Sequence, residues 1–271
     1  MVLFTKGKNA GNKSFEDHVQ ASGKPLQWLL EKCSAHSSHQ QNIRLILLGA
    51  KGSGKSSTGN SILAAGSDLS FTAKKRTTQC TKETLTVAGI QITVVDTPGW
   101  WMNYFTQDSS AFDKEEIVKS VYLCPPGPHT FLLVVRVDRS FTEIYRRAIE
   151  EHIELISKDV WNHSIVLLTF GDWLGDTTIE QYIESEGKTL QWLVERCGNR
   201  YHVLNNKSLG NNFQITELLE KIWEMTAGSY FETDESLFKE MKRKRQVEEG
   251  RAKLRREYVL RRRKSLRAFK S

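Results

Sequence analysis

The sequence predicts an α/β fold in which a doubly wound, mainly parallel six-stranded sheet carries helices on both faces. Two observations carry this prediction. Apolar runs of strand length alternate with segments of helical periodicity, and a glycine-rich loop joins the first strand to the first helix. With 271 residues, 39% hydrophobic and 26% charged, the chain suits one ordinary α/β domain with extensions.

The elements follow from these runs in order. Short apolar segments bounded by turn residues predict the strands, which are NIRLILLG, the two halves of LTVAGIQITVVDT around Gly89, TFLLVVRV, SIVLLTF and RYHVLNN. Segments with apolar residues three and four positions apart predict the helices, which are GKSSTGNSILAAG closed by Gly66, FTEIYRRAIEEHIELIS, TIEQYIESEGKTLQWLVERC and ITELLEKIWEMTAG. None of the apolar runs approaches the roughly 18 residues that a membrane-spanning helix needs.

An internal repeat suggests how the chain is organised. Residues 2–33 align without gaps onto residues 166–197, with 14 of 32 positions identical. We interpret residues 1–41 as the truncated distal part of a preceding copy of the same domain together with the polar linker that follows it. Residues 42–230 then form the complete domain, and residues 231–271 form a basic helical tail.

The charge is concentrated in that tail. Residues 239–270 hold fifteen Lys and Arg against four Glu, whereas the whole chain has a net charge of +7. An anionic membrane surface or an acidic partner is the expected contact of the tail, with a solvated helix as the alternative, and no nucleic acid is predicted. Four scattered cysteines without a CxxC pair favour a cytoplasmic location, with peripheral attachment to membranes left open.

Residues 49–56 match the phosphate-loop pattern GxxxxGK[ST] at every fixed position. In such a loop the backbone N–H groups point at a phosphate at the start of a helix. Lys55 is expected to reach the β- and γ-phosphates, and the hydroxyl of Ser56 to bind Mg²⁺. The predicted nucleotide-binding residues of this segment are Gly49, Ala50, Lys51, Gly52, Ser53, Gly54, Lys55, Ser56 and Ser57.

Two further segments complete a predicted phosphate and Mg²⁺ site. Asp96 begins the motif DTPG at a strand end and is expected to hold Mg²⁺ through water, while the amide of Gly99 senses a γ-phosphate. Between this motif and the phosphate loop, Thr77 or Thr78 is expected to supply a second hydroxyl to the metal, and Thr77 is preferred.

The end of the strand SIVLLTF is predicted to choose the base. The segment Thr169–Asp172 lies where a guanine reader of the type [NT]KxD would lie, and a carboxylate there accepts two hydrogen bonds from guanine. Phe170 replaces the usual basic residue, so aromatic packing on the base replaces aliphatic packing. Asp172 alternatively caps the next helix. Asn205 and Asn206 are candidates to line the base from the other side.

The runs GAKGSGKSSTGNSIL, TTQC, VVDTPGW, GPHTFLLVVRVDRSFTE, TFGDWLGDTTIEQYI and CGNRYHVLNNK resemble the GIMAP family, the GTPases of immunity-associated proteins with an AIG1-type G domain. This resemblance implies a Ras-like P-loop GTPase fold, binding of GTP or GDP with Mg²⁺, and a nucleotide-dependent homodimer formed through the nucleotide face. It also implies that residues 2–33 are the remainder of a preceding domain, as in tandem-domain members.

Two positions depart from the pattern that the resemblance implies. Trp100 stands where Ras-like enzymes carry a water-orienting Gln, so GTP hydrolysis is expected to be slow, with Trp100 simply closing the site as the alternative. The family's central box places an arginine near Arg139, but an extra residue in RVDRSFT leaves Arg136 also possible as a catalytic group acting in trans. A slow GTPase switch is the leading hypothesis, and a nucleotide-binding scaffold with little hydrolysis is the alternative.

Overall fold

A computed structural model describes residues 42–63, 77–87, 90–205, 212–226 and 229–268. The predictions made for residues 1–41, for Gly66, for Gly89 and for Asn206 lie outside these ranges.

The sheet confirms the predicted architecture. Its six strands lie in the order β2-β3-β1-β4-β5-β6. Only the pairing of β2 with β3 is antiparallel, and all other pairs are parallel. The strands are β1 (Asn42–Leu48), β2 (Thr81–Val87), β3 (Ile90–Asp96), β4 (Thr130–Arg136), β5 (Ser164–Thr169) and β6 (Tyr201–Leu204).

Seven α-helices occur in the described residues. They are α1 (Lys55–Leu63), α2 (Ala111–Tyr122), α3 (Glu143–Ile153), α4 (Ile179–Ser185), α5 (Lys188–Arg196), α6 (Asn212–Thr226) and α7 (Glu235–Ala268). The segment predicted as one helix between β5 and β6 is two helices, α4 and α5. They are separated at Gly187, whose φ of 72° lies in the left-handed region that glycine adopts at little cost.

Helix α2 was not predicted from the sequence. Its charged first half, AFDKEE, contributes little helical periodicity of apolar residues. The structure shows a capped start, because the side chain of Ser110 accepts a hydrogen bond from the backbone N–H of Asp113. Ile117, Val118 and Val121 then bury their side chains against the sheet.

The core lies in two layers because the sheet is covered on both faces. Along β1, Ile46 and Leu48 face one layer, whereas the alternate residues Leu45 and Leu47 face the other. The first layer contains apolar side chains of α2, α3 and α5, and the second contains those of α1 and α6. Burial on both faces explains why the central strands are continuous apolar runs rather than alternating patterns.

The directions of the strands determine where the predicted nucleotide site lies. Parallel strands β1, β3, β4 and β5 all end at one edge of the sheet, where the loops that follow them meet. In the register, Leu47 lies beside Asp96 and Arg136 lies beside Thr169. The phosphate loop, the DTPG motif and the predicted base reader are therefore neighbours in space, as open α/β sheets bind ligands at this edge.

Helix α7 begins against α2 and then extends away from it. Arg245 forms an ion pair with Glu115 at 2.9 Å, and the rings of Phe238 and Tyr122 lie 4.9 Å apart. Further along the helix Leu254 and Tyr258 are 67% and 66% exposed. Within the described ranges, no helix combines the length and the apolar character needed to span a membrane.

Candidate functional site

The phosphate loop follows β1 and ends at the first turn of α1. It packs tightly against β4, because a Cβ added to Gly49 would lie 2.5 Å from the carbonyl oxygen of Val134. Gly49 also has a φ of 152°, which L side chains rarely adopt. A side chain at this position would therefore lift the loop from the sheet.

Lys55 is held inside this loop. Its side chain is buried, and its Nζ donates hydrogen bonds to the carbonyl oxygens of Gly49 at 3.1 Å and Ala50 at 3.0 Å. Burial lowers the pKa of Lys55 from its ordinary 10.5 to about 8, and the nearby charge of Asp96 opposes the shift. The ammonium group is thus desolvated in advance at the position where a phosphate would meet it.

The three predicted metal ligands lie together. Ser56 Oγ donates a hydrogen bond of 2.6 Å to Asp96 Oδ2, and Thr77 Oγ1 donates one of 3.0 Å to the same oxygen. The two hydroxyl oxygens are 3.4 Å apart. The preference for Thr77 over Thr78 agrees with this arrangement.

This oxygen set fits a magnesium ion. The second carboxylate oxygen of Asp96, Oδ1, is buried and has no hydrogen-bond partner among the described residues, which is costly for a polar atom. Burial raises the pKa of Asp96, and the hydrogen bond from Ser56 opposes that rise. Mg²⁺ prefers hard oxygen ligands and is commonly held by one carboxylate with hydroxyl, phosphate and water oxygens. A bound cation would stabilise the ionised carboxylate.

The DTPG motif lies directly against the phosphate loop. The backbone N–H of Lys51 donates to the carbonyl oxygen of Trp100 at 2.6 Å. A Cβ added to Gly99 would lie 2.6 Å from Lys51 N and 2.7 Å from Lys55 Nζ. Only glycine fits at this contact, so the amide of Gly99 lies beside the lysine that is expected to bind phosphate.

Trp100 does not close the site. Its side chain is only 2% exposed and stacks on His152, with ring centres 4.6 Å apart and planes at 6°. The next residue, Trp101, is 51% exposed, and the centre of its ring lies 4.1 Å from Lys51 Nζ. The indole of Trp100 therefore belongs to the core beneath the loop.

Where the base is expected to bind, Thr169 contacts the phosphate loop. Its hydroxyl is buried and donates to the carbonyl oxygen of Ser53 at 2.6 Å. Asp172 lies exposed in a short 3₁₀ turn, Gly171–Leu174. The helix after this turn is capped by Thr178, so Asp172 is not its cap. Asn205 follows β6, and its backbone N–H donates to Gln214 Oε1 at 3.0 Å.

The two candidate arginines differ sharply in their surroundings. Arg136 forms two hydrogen bonds with Asp138, and its Nη1 donates to the carbonyl oxygen of Gly52 at 3.1 Å. These bonds hold the pKa of Asp138 below its usual range. Arg139 is exposed, and no hydrogen bond or ion pair joins it to another residue in the described part of the chain.

Sequence reasoning missed two contacts of this site. Arg136 lies over the ring of Phe170, with Cζ 4.1 Å from the ring centre. Glu116 on α2 accepts a 2.6 Å hydrogen bond from the backbone N–H of Cys80, three residues after Thr77. Neither contact has a local signal, because each joins residues more than thirty positions apart in the chain. Only the pairing of Arg136 with Asp138, two residues later, is local.

A parallel sheet whose first strand leads through a glycine-rich loop, with a buried lysine, into a helix defines a P-loop α/β protein. The model of the AIG1 family matches residues 43–254, well over half of the sequence. The chain belongs to the AIG1 family.

The relatives and structural neighbours agree with this family and fold. GTPase IMAP family member 8 of Rattus norvegicus is 32% identical over 203 residues, a match that covers 72% of this chain and 29% of the relative. The chain thus spans less than a third of that relative's length. The crystal structure of Toc33 from Arabidopsis thaliana in complex with GDP and Mg²⁺ shares the fold, with a TM-score of 0.62, 18% identity, and 81% of this chain and 97% of Toc33 covered. A second similar structure has a TM-score of 0.61 and 18% identity, and the match covers 81% of this chain and 96% of the other chain. It is reported with the words "Dimerization is important for the GTPase activity of chloroplast translocon components atToc33 and psToc159".

Proposed function

We propose that this protein is a guanine-nucleotide-binding switch that binds GTP or GDP with Mg²⁺ and hydrolyses GTP slowly. The observation that carries the proposal is the convergence of Lys55, Ser56, Thr77 and Asp96 at one edge of the sheet. A buried cation and a hard oxygen set beside a glycine-rich loop suit a nucleotide triphosphate and its metal. The GTPase names of the relatives, and the GDP and Mg²⁺ of Toc33, support the same nucleotide and metal.

Guanine is proposed as the base because Asp172 offers an exposed carboxylate three residues after Thr169, which contacts the phosphate loop. Thr169 ties the reader segment to that loop, so a nucleotide held by one is within reach of the other. Asn205 lies at the end of the adjacent strand and is proposed to line the base, as is Asn206.

The base assignment predicts a specific loss. Asp172→Ala should weaken GDP binding by about 1.5–3 kcal/mol, the value of hydrogen bonds to a charged group, while binding of ADP stays weak. Competition against a fluorescent guanine nucleotide measures both affinities. Asp176→Ala, an exposed carboxylate four residues later, is the matched control and should bind GDP like the wild type. Equal affinity of the wild-type protein for ADP and GDP would contradict the assignment.

A homodimer formed through the nucleotide face is the second part of the proposal. Trp101, Ile144 and Trp173 are 51%, 51% and 65% exposed. They follow the ends of β3, β4 and β5, so all three lie at the nucleotide edge of the sheet. Exposed tryptophans such as Trp101 and Trp173 are typical anchors of protein interfaces, and Ile144 adds apolar surface beside them. The role of dimerization stated for the Toc proteins supports the same arrangement here.

Arg139 is the proposed residue in trans, because Arg136 is already held within its own chain. GTP turnover per molecule should rise with protein concentration, and Arg139→Ala should abolish the rise while leaving GDP affinity intact. An arginine that acts in trans can add about 10³–10⁵ in rate. Phosphate release over a wide concentration range measures this. Arg196→Ala, at the end of α5 that leads to the opposite edge, is the control. A flat specific activity would exclude the arginine in trans.

Three finer assignments belong to the proposal. Trp100 cannot orient a water molecule from within the core, which favours slow hydrolysis and keeps a nucleotide-binding scaffold as the second candidate function. The basic helix α7 is proposed to contact an anionic surface, either a membrane or an acidic protein, from a cytoplasmic location. The division at residues 41 and 230 is proposed from the extent of the family resemblance, the polar linker and the basic tail, and the truncated preceding domain is proposed from the repeat.

A further inference from the structure

The inference concerns Phe170, which stands where the resemblance places a basic residue in the base reader. The backbone of Phe170 lies in the left-handed region, with a φ of 61°, a conformation that is uncommon for a bulky residue. Its ring is half-buried and lies beside Arg136 at the end of β4. An aromatic residue in this costly conformation is best explained by a neighbouring side chain that packs on its ring.

That neighbour is Arg136. It is the last residue of β4, and the register of the sheet puts it beside Thr169, the residue just before Phe170. The guanidinium carbon lies 4.1 Å from the centre of the Phe170 ring, well within the distance of a cation–π contact. The sheet therefore brings a positive charge to position 170 from the adjacent strand.

The guanidinium group is fixed on two further sides. Asp138 holds it with two hydrogen bonds, one of them 2.7 Å from Nε to Oδ1. Its Nη1 donates to the carbonyl oxygen of Gly52, within the phosphate loop. The Arg136 side chain is 21% exposed and that of Asp138 is 10% exposed, so the pair lies largely inside the site. A planar, rigid cation thus joins the base reader to the phosphate loop.

We propose that Arg136 and Phe170 together replace the single basic residue of the base reader, with the cation supplied by β4 instead of by position 170. This inference rests on the proposed guanine-nucleotide function. The ring provides the surface that packs on the nucleotide, and the guanidinium provides the positive charge and the brace on the loop. Arg136 is thereby a nucleotide-binding residue of its own chain and not a group that acts on a partner.

The test is a replacement and rescue of GDP affinity. Arg136→Ala should weaken GDP binding about 10- to 50-fold, the range expected for losing one desolvated cation–π contact and one charged hydrogen bond. Phe170→Lys in the same chain should recover most of that loss, because it returns the cation to position 170. Arg146→Ala is the matched control, since Arg146 also lies 4.1 Å from an aromatic ring and pairs with carboxylates, but on α3. It should bind GDP like the wild type.

Each outcome decides. Unchanged GDP affinity in Arg136→Ala overturns the proposal, and so does a loss that Phe170→Lys does not recover. If Arg136→Ala does not fold, Arg136→Lys serves instead, and GDP affinity equal to that of the wild type would exclude a role for the planar guanidinium. If the wild-type protein binds no GDP, the proposed function itself fails. If the wild-type protein binds GDP, and Asp172→Ala weakens that binding while Arg136→Ala does not, only this inference is overturned.

Discussion

Replacing Lys55 by alanine is expected to weaken GDP binding by about 100- to 1000-fold. The reason is that the ammonium group is expected to donate charged hydrogen bonds to phosphate oxygens, each worth about 1.5–3 kcal/mol. Titration of the purified variant with GDP in the presence of Mg²⁺ measures the loss. The same variant should fold normally, because the charge of Lys55 is disfavoured in the folded protein.

The pKa of Lys55 provides the control for that prediction. Burial lowers this pKa to about 8, so the charged form of Lys55 reduces the free energy of unfolding at pH values below about 8. This cost disappears as the pH rises from about 8 towards the pKa of the lysine in the unfolded chain. A bound phosphate raises the pKa again. Wild-type GDP affinity should therefore be constant below about pH 8 and fall up to about tenfold per pH unit above it. In Lys55→Ala this decline should be absent. An equal decline in both proteins would assign the titration to another group.

Gly99→Ala is expected to lower the affinity for GTP and Mg²⁺ by at least about 100-fold. Overpacking should also reduce the free energy of unfolding by about 1–3 kcal/mol, which is seen as a lower Tm. The added Cβ would lie 2.6 Å from the backbone nitrogen of Lys51 and 2.7 Å from the Nζ of Lys55. A backbone atom cannot move aside as a flexible side chain can. The DTPG motif must therefore separate from the phosphate loop, which breaks the bond between Lys51 N and the carbonyl oxygen of Trp100.

The matched control is Gly250→Ala on α7, where an added Cβ meets nothing within 4 Å. Alanine is favoured over glycine within a helix by about 1 kcal/mol, so this variant should be at least as stable as the wild type and bind nucleotide normally. Nucleotide affinity of Gly99→Ala within about twofold of the wild type would contradict the close contact, since overpacking of this size cannot be silent.

Much of the fold could be predicted because it depends on local pattern. The central strands β1, β4 and β5 are short apolar runs, as a sheet buried on both faces requires, whereas the edge strand β2, TKETLTV, is mostly polar. The exceptions have physical causes. The break at Gly187 depends on one backbone angle, and α2 begins with charged residues whose helical form is stabilised by the cap at Ser110 and by packing of its second half.

The arrangement of the residues expected to bind phosphate could also be predicted, because its pattern is local. A glycine-rich loop, a lysine and a hydroxyl lie within eight consecutive residues, which is typical of phosphate loops. Asp96 and Thr77 were expected as metal ligands from their order in the chain, and the structure brings both to Ser56. This part of the site was therefore determined by the sequence.

Only the tertiary structure decided the surroundings of Trp100, Arg136 and Arg139. Trp100 and Trp101 are adjacent and chemically alike, yet one is in the core and the other is exposed, since the turn after Gly99 directs them to opposite sides. Arg136 and Arg139 are likewise three residues apart, and only Arg136 reaches Phe170 and Gly52. Those contacts depend on the parallel pairing of β4 with β1 and with β5, relations between segments more than thirty residues apart that no local pattern encodes.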